Sequence, residues 1–325
     1  MYSSARVRSL ENRIATGERL LHLADAEGTA AVVSALSDFG FEIVRDENGG
    51  LCREDTLATV LIEGWREAEI MIEGEDILDF LRYSYDCHNL KAIIKCFFRG
   101  VSHKDMTIPL GSVDVGALEE AFEENNYSCL PKNMAEAAVK AKEVFATTGN
   151  PQKVDLIIDR ACFADMLENS EKNGIALAVK MVKAKIDMTN LLTAVRLSLM
   201  DLKENALPLF TEAFIEGGNI DELFVTDSFS GIVGKINDKL EYSEYSALCP
   251  FLSGKIDLSV LERETDNVIM RIAKEARFVP FGPEILIGYV AALEYEVKNI
   301  RMILAGKDAC LSSEVIRERL RESYV

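Results

Sequence analysis

One short phrase occurs three times in this sequence, each time late in a long stretch with helical periodicity. The three copies are Asp86-x-x-Asn89-Leu90, Asp187-x-x-Asn190-Leu191 and Glu296-x-x-Asn299-Ile300. Successive asparagines are 101 and 109 residues apart, close to a third of the 325-residue chain. Self-similarity at a fixed period identifies a repeat architecture, and it has to be recognised before any motif is interpreted. The phrase therefore predicts three copies of one helical unit.

Two other short sequence motifs each occur twice, at similar distances from the repeated phrase. They are Glu120-Ala121-Phe122 with Glu212-Ala213-Phe214, and Asp159-Arg160 with Glu262-Arg263. Together these matches predict helical units over residues 1–103, 104–205 and 206–325, the last of which includes a C-terminal helix.

Almost every segment has the 3.6-residue apolar period of an amphipathic helix, which predicts an all-α fold. Three pairs of long helices are predicted. The first pair covers about 55–72 and 76–99, the second 151–169 and 175–201, and the third 258–276 and 284 onward. Shorter helices precede each pair, among them one over 220–224. The last long helix begins after Pro283, which suits a first helical position, and a left-handed glycine cap is expected at Gly306. A strand is considered only at 41–45, in one hairpin at most.

The composition excludes some classes of partner. The chain has 36 Lys and Arg against 54 Asp and Glu, a net charge of −18. Nucleic-acid binding requires a positive surface that displaces counterions, so we expect no nucleic-acid partner. The same charge disfavours adhesion to an anionic bilayer. No apolar run has the roughly 18 to 20 residues of a spanning helix, so direct membrane insertion is not expected.

Seven cysteines are scattered along the chain and never form a C-x-x-C pair. This pattern predicts buried thiols in a reducing cytoplasm, because disulfides and zinc sites need paired cysteines.

The search for catalytic chemistry finds little. The chain has three histidines, and none follows a glutamate by three positions as in di-iron bundles. The motifs of zinc proteases, serine hydrolases, dinucleotide-binding folds and P-loop nucleotidases do not occur. We therefore expect no catalytic residue, no cofactor and no metal site.

The repeated asparagines allow two interpretations. Each follows an acidic residue by three positions, so the pair lies on one face of a helix and is expected to hydrogen-bond to a neighbouring helix. The recurrence is then a relic of duplication that preserves packing, which is the favoured interpretation. The alternative places Asn89, Asn190 and Asn299 around a central axis where a partner docks.

The first segment is locally positive because of Arg6, Arg8 and Arg13. A solvated helix face is the simpler interpretation, and an ion-pairing surface for an acidic neighbour or partner is the alternative.

Two stretches at opposite ends of the sequence carry a more specific signal. The first is Tyr2-Ser-Ser-Ala5-Arg6-Val7-Arg8 followed by Glu11; the second is Phe281-Gly282-Pro283-Glu284 followed by Glu296-x-x-Asn299-Ile300-Arg301. In order, separation and total length they resemble the C-subunit family of V/A-type ATPases and ATP synthases, which is related to the d subunits of eukaryotic V-ATPases.

That resemblance implies an all-α funnel of three similar units with pseudo-threefold symmetry. It implies a non-catalytic central-stalk rotor subunit that couples the central shaft, built of D/F-type subunits, to the membrane rotor ring during ATP-linked ion transport. Such a subunit is peripheral and lies at the cytoplasmic face of the membrane. The candidate interface or signature residues are Arg6, Arg8, Glu11, Asn89, Asn190, Glu296, Asn299 and Arg301.

Two other classes remain open at this point. A soluble helical-repeat adaptor that binds partner helices would also use stacked helical units, although such repeats are usually 20 to 50 residues long. An unrecognised helical enzyme is the third possibility, since acidic residues able to act as an acid–base pair are abundant.

Overall fold

A computed structural model describes residues 2–72, 74–200, 206–220, 232–240, 245–253 and 255–325. Its α-helices are α1 (Tyr2–Glu11), α2 (Gly17–Asp25), α3 (Gly28–Asp38), α4 (Arg53–Ile72), α5 (Asp79–Arg99), α6 (Val115–Glu124), α7 (Lys132–Thr148), α8 (Pro151–Asn173), α9 (Ala176–Leu199), α10 (Ala206–Ala213), α11 (Ile232–Leu240), α12 (Cys249–Leu252), α13 (Leu258–Lys274), α14 (Glu284–Asp308) and α15 (Ser313–Arg319). The prediction of an all-α protein is confirmed.

The helix boundaries follow local signals in the sequence. Helix α5 ends at Arg99 and is capped by Gly100, whose φ of 68° lies in the left-handed region. Asn150 caps the first turn of α8 by accepting from the Gln152 amide. Of the predicted helix over 220–224, residues 221–224 lie outside the described residues. At 41–45 the described chain has no strand, only a turn with one antiparallel bridge between Arg45 and Leu51.

The chain divides into two compact units, Met1–Gly74 with Leu240–Val325 and Glu75–Lys239. The three predicted repeats do not correspond to these two units, and the division into repeats stays a prediction.

The first compact unit is organised around α14. This helix packs on α1, α2, α3, α4, α13 and α15. Sixteen of its residues are buried, including every residue from Ile285 to Leu293, so its first half is apolar on all sides. Trp65 on α4 and Tyr289 on α14 are core residues as expected, with exposed fractions of 2% and 4%.

The prediction of a left-handed cap at Gly306 is wrong. Helix α14 continues through Gly306 to Asp308, and the residue with positive φ is Cys310, at 54°. Gly306 serves close packing, because a Cβ at this position would lie 2.7 Å from Ile316 Cγ1 of α15.

The second compact unit is organised around α8, which packs on α5, α7 and α9. Asp165, in the middle of α8, accepts from the backbone amides of Asn133 and Met134 at 3.0 and 2.8 Å and so caps the first turn of α7. The short helices α6 and α10 pack on α5 and α9, respectively.

The structure bears on two further predictions, which concern the cysteine thiols and membrane-spanning helices. Cys87, Cys96 and Cys162 are buried as predicted, but Cys129 and Cys310 are exposed, so the prediction of buried thiols is wrong for these two. They lie in loops, where helical packing does not enclose them. None of the helices in the described ranges is long and apolar enough to cross a bilayer.

Candidate partner-binding site

Each repeated asparagine holds a backbone segment through a pair of hydrogen bonds. Asn89 donates to the Ile108 carbonyl and accepts from its amide, both at 2.8 Å. Asn190 makes the same two bonds to Ile215 at 2.8 and 2.9 Å, and Asn299 makes them to Arg321 at 3.2 and 2.8 Å. We call each of these pairs an asparagine bracket. The bonded segments are non-helical, whereas the packing interpretation expected a neighbouring helix.

The acidic residues of the phrase hold a second point on the same loops in two of the three copies. Asp86 accepts from the amides of Ser112 and Val113 at 3.0 and 3.1 Å. Asp187 accepts from the amides of Asn219 and Ile220 at 2.8 and 2.9 Å. Burial raises the pKa of Asp86, and the bonds from Ser112 and Val113 oppose that rise.

In both of these copies, a glycine allows the loop to approach the aspartate carboxylate closely. A Cβ at Gly111 would lie 2.1 Å from Asp86 Oδ1, and one at Gly218 would lie 2.2 Å from Asp187 Oδ1. Both glycines follow the bracketed isoleucine by three positions, in Ile108-x-x-Gly111 and Ile215-x-x-Gly218. Sequence reasoning missed this recurring pattern, although it is visible in the printed sequence.

The third copy departs from this geometry. Three positions after bracketed Arg321 the chain has Tyr324, which is 1% exposed, in place of glycine. Glu296 accordingly bonds elsewhere, and its Oε1 accepts from the Ala15 amide at 2.6 Å. Burial raises the pKa of Glu296 to about 7, against the lowering effects of the Ala15 amide and Arg19. The third copy therefore ties α14 to the turn between α1 and α2.

A second repeated contact precedes two of the brackets. Arg160 on α8 donates to the carbonyls of Phe214 and Thr211 at 3.0 and 2.9 Å, at the end of α10. Arg263 on α13 donates to the Glu318 carbonyl, at the end of α15. A cation at a helix C-terminus satisfies carbonyls that have no intrahelical partner. The recurring motif at 159–160 and 262–263 thus positions the chain that enters these two brackets.

The candidate residues of α1 lie in contacts within the chain. The Arg8 guanidinium bonds both Glu11 oxygens, at 2.9 and 2.8 Å, and also backbone carbonyls between α13 and α14. Tyr324 donates its hydroxyl to Glu11 at 3.1 Å. Burial, together with the Glu11 carboxylate, raises the pKa of Tyr324, so the hydroxyl keeps its proton. Arg6 pairs with Glu67 of α4.

Arg301 is the most accessible of the candidate residues. Its side chain is 48% exposed and pairs with Glu54 at 2.9 Å. In contrast Asn89, Asn190, Glu296 and Asn299 are each at most 5% exposed. A role of the eight candidates in partner binding stays a prediction, and for these last four residues the structure shows support of the loops.

A cavity of about 730 Å³ lies beside Glu296 in the first compact unit. Its charged lining residues are Arg13, Glu63, Arg66, Glu67 and Glu296, and its remaining lining residues are mostly apolar. Among the described residues, its lining contains no histidine, cysteine or serine. No group of three or more potential metal-ligating side chains occurs in the described part of the chain.

Large apolar side chains are exposed at a few places, of which sequence reasoning singled out only Phe281. Phe97 and Phe98 are exposed at the end of α5, and Leu199 is exposed at the end of α9. The connection before α14 exposes Phe278 and Phe281. Aromatic residues in such positions are common anchors in protein interfaces. The signal available in the sequence was the pair of phenylalanines around Pro280.

The fold and the asparagine brackets define an all-α protein with an internal repeat, in which asparagine side chains on long helices hold the backbone of loops. Residues 3–319 match the family described as ATP synthase (C/AC39) subunit, and the chain belongs to that family.

Several curated relatives are similar over most of the chain. The C subunit of a V-type sodium ATPase from Enterococcus hirae is 26% identical over 246 residues, covering 75% of this chain and 74% of the relative. The C subunit of an A-type ATP synthase from Thermococcus kodakarensis is 24% identical, covering 99% of this chain and 90% of the relative. Its counterpart from Halobacterium salinarum is 26% identical, covering 95% and 90%.

Proposed function

We propose that this chain is a non-catalytic rotor subunit of a V/A-type ATPase or ATP synthase, and that it couples the central shaft to the membrane ring. The match to the ATP synthase (C/AC39) subunit family over residues 3–319 carries this proposal. In that role the chain is peripheral, lies at the cytoplasmic face of the membrane, and contacts D/F-type shaft subunits and the ring.

The side-chain contacts support a mechanical role. A subunit that transmits torque has to resist deformation, so its loops must be fixed to its long helices. The brackets at Asn89, Asn190 and Asn299 provide such fixation at intervals along the chain. Buried side chains that satisfy two backbone groups at once lose these bonds if the loop moves, which makes loop displacement costly.

A gene deletion tests this role. In membranes that lack the chain we expect ATP-driven ion transport to be lost, while the catalytic head retains ATP hydrolysis after release from the membrane. Re-expression of the wild-type chain should restore transport. Transport that persists without the chain would contradict the proposal, as would ATP hydrolysis by the purified chain that is abolished by a single carboxylate substitution.

A further inference from the structure

The connection between α13 and α14 exposes two aromatic rings. It consists of a 3₁₀ turn over Glu275–Phe278 followed by Val279–Pro283. Phe278 is 87% exposed, the largest value among the exposed large apolar residues of the described chain, and Phe281 is 58% exposed. We call residues 277–283 the aromatic loop. Exposed phenylalanines are costly in water, so two on one short loop require an explanation.

The aromatic loop is held rigidly. Arg8 donates from one guanidinium nitrogen to the carbonyls of Ala276, Arg277 and Val279 at 2.9, 3.2 and 2.8 Å. Pro280 and Pro283 restrict the backbone further because each fixes its own φ. A loop that is ordered before binding loses little conformational entropy when it binds, so its exposed rings are already arranged as a binding element.

The two rings of the aromatic loop lie between one basic and one acidic residue of the sequence. The Arg277 guanidinium donates to the Tyr324 carbonyl at 3.1 Å. The Glu284 carboxylate lies beside Gly282, where a Cβ would be 2.2 Å from Oε2. Between these two charges the sequence is Phe-Val-Pro-Phe-Gly-Pro. The surface that complements the two exposed rings is a concave, apolar crevice.

We infer that the aromatic loop is an anchor that inserts into an apolar crevice between helices of a partner subunit. This inference rests on the proposed function, because the partner is another subunit of the same complex. The two phenylalanines fill the crevice, and Arg8 with Glu11 maintains the conformation of the loop. The opening motif at residues 2–11 and the motif at 281–284 thus meet at one structural element.

Charge favours a polypeptide over a bilayer as the occupant. An aromatic loop that inserts into an anionic membrane needs cations around it to bind the headgroups. The cations that precede the loop on α13, Arg271 and Lys274, are both paired with Glu322, at 2.5 and 3.2 Å. The chain as a whole has 54 acidic against 36 basic residues. With these two cations paired and the chain acidic as a whole, an apolar crevice of a protein fits the loop better than anionic lipid does.

Photo-crosslinking in the assembled complex tests the occupant. We would replace Phe278 with p-benzoylphenylalanine, which preserves an aromatic ring, and irradiate the complex in native membranes. The expected result is a covalent adduct with one other subunit of the ATPase. The same probe at Leu21, which is 45% exposed on α2, is the control for random contact. Adducts with lipid alone, or no adduct specific to position 278, would overturn the inference.

A purification assay tests the contribution of the rings. A tagged Phe278→Ala/Phe281→Ala variant should recover at least about tenfold less of the other subunits than the wild type, since anchor residues dominate binding free energy. Leu21→Ala should recover as much as the wild type. The melting temperature of the purified double variant should be unchanged, because its side chains are exposed.

The outcomes separate the two proposals. If the wild-type chain recovers no ATPase subunit, the proposed function fails. If the wild type recovers them and the double variant recovers the same amount, only the role of the aromatic loop is refuted.

Discussion

At the scale of single residues, each bracket depends on the chemistry of the asparagine side chain. Asparagine is suited to a bracket because its side-chain amide has an N–H donor and a carbonyl acceptor on the same edge, so it can bond the C=O and N–H of one residue at once. Asn190 and the Ile215 peptide groups it bonds are buried, so no water replaces a lost bond.

Substitution of Asn190 tests the bracket. Asn190→Ala leaves the Ile215 amide and carbonyl without partners, and we expect it to lower the free energy of unfolding by about 2 to 4 kcal/mol. Urea denaturation of the purified chain measures this change. Asn48→Ala is the matched control, since Asn48 is exposed in a turn and its substitution should change the free energy by less than about 0.5 kcal/mol. Equal effects of the two substitutions would refute a special role for the bracket.

Glu296 predicts a dependence of stability on pH. Its pKa rises from 4.5 to about 7 in the folded chain because burial disfavours the carboxylate. Between these values the folded chain holds a proton that the unfolded chain has lost, so stability contributed by this group is present below pH 4.5 and is lost as the pH rises through 7.

The substitution Glu296→Gln removes this titration while it keeps an acceptor for the Ala15 amide. The variant should gain stability relative to the wild type as the pH rises from about 5 to about 8, by roughly 3 kcal/mol in total. Thermal melts at several pH values measure the gain. Glu63→Gln, which removes one charge from the same cavity, is the control. A gain that does not depend on pH would contradict the assignment.

At the scale of elements, the effect of replacing a glycine depends on whether the glycine is needed for close packing. Gly218→Ala should destabilise the chain by about 1 to 3 kcal/mol, because the added Cβ would lie 2.2 Å from Asp187 Oδ1 and the loop has to shift. Gly234→Ala in α11 has no atom within 4 Å of the added Cβ and should stabilise the helix by about 0.5 to 1 kcal/mol. Differential scanning calorimetry of both variants measures the contrast. Destabilisation by both would show that neither site behaves as its surroundings indicate.

The sequence predicted the helices better than their contacts. Apolar periodicity and caps located α5 and α14, because these signals act within one or two turns. The end of α14 was misplaced because Gly306 is required by a contact with Ile316, which local sequence does not report. The partners of Arg8 and Glu296 were also unpredictable, since they lie about 270 and 280 residues away along the chain.

At the scale of the whole molecule, the three repeats and the funnel stay predictions that solution scattering can test. Three helical units arranged as a funnel should give a compact particle with a radius of gyration of about 20 to 25 Å, near the value for a folded chain of this length. Small-angle X-ray scattering of the purified monomer measures it. A pair-distance distribution with the long tail of a curved rod would favour the helical-repeat adaptor.

The contact between Glu296 and Ala15 has a consequence for synthesis on the ribosome. Helices α1 to α4 emerge early, but α14, on which α1, α3 and α4 pack, is made more than 200 residues later. At translation rates of about 5 to 20 residues per second, this interval lasts roughly 10 to 50 seconds. For that time the faces of these helices that pack on α14 lack this partner, so we expect the nascent chain to expose apolar surface until its last helices are complete.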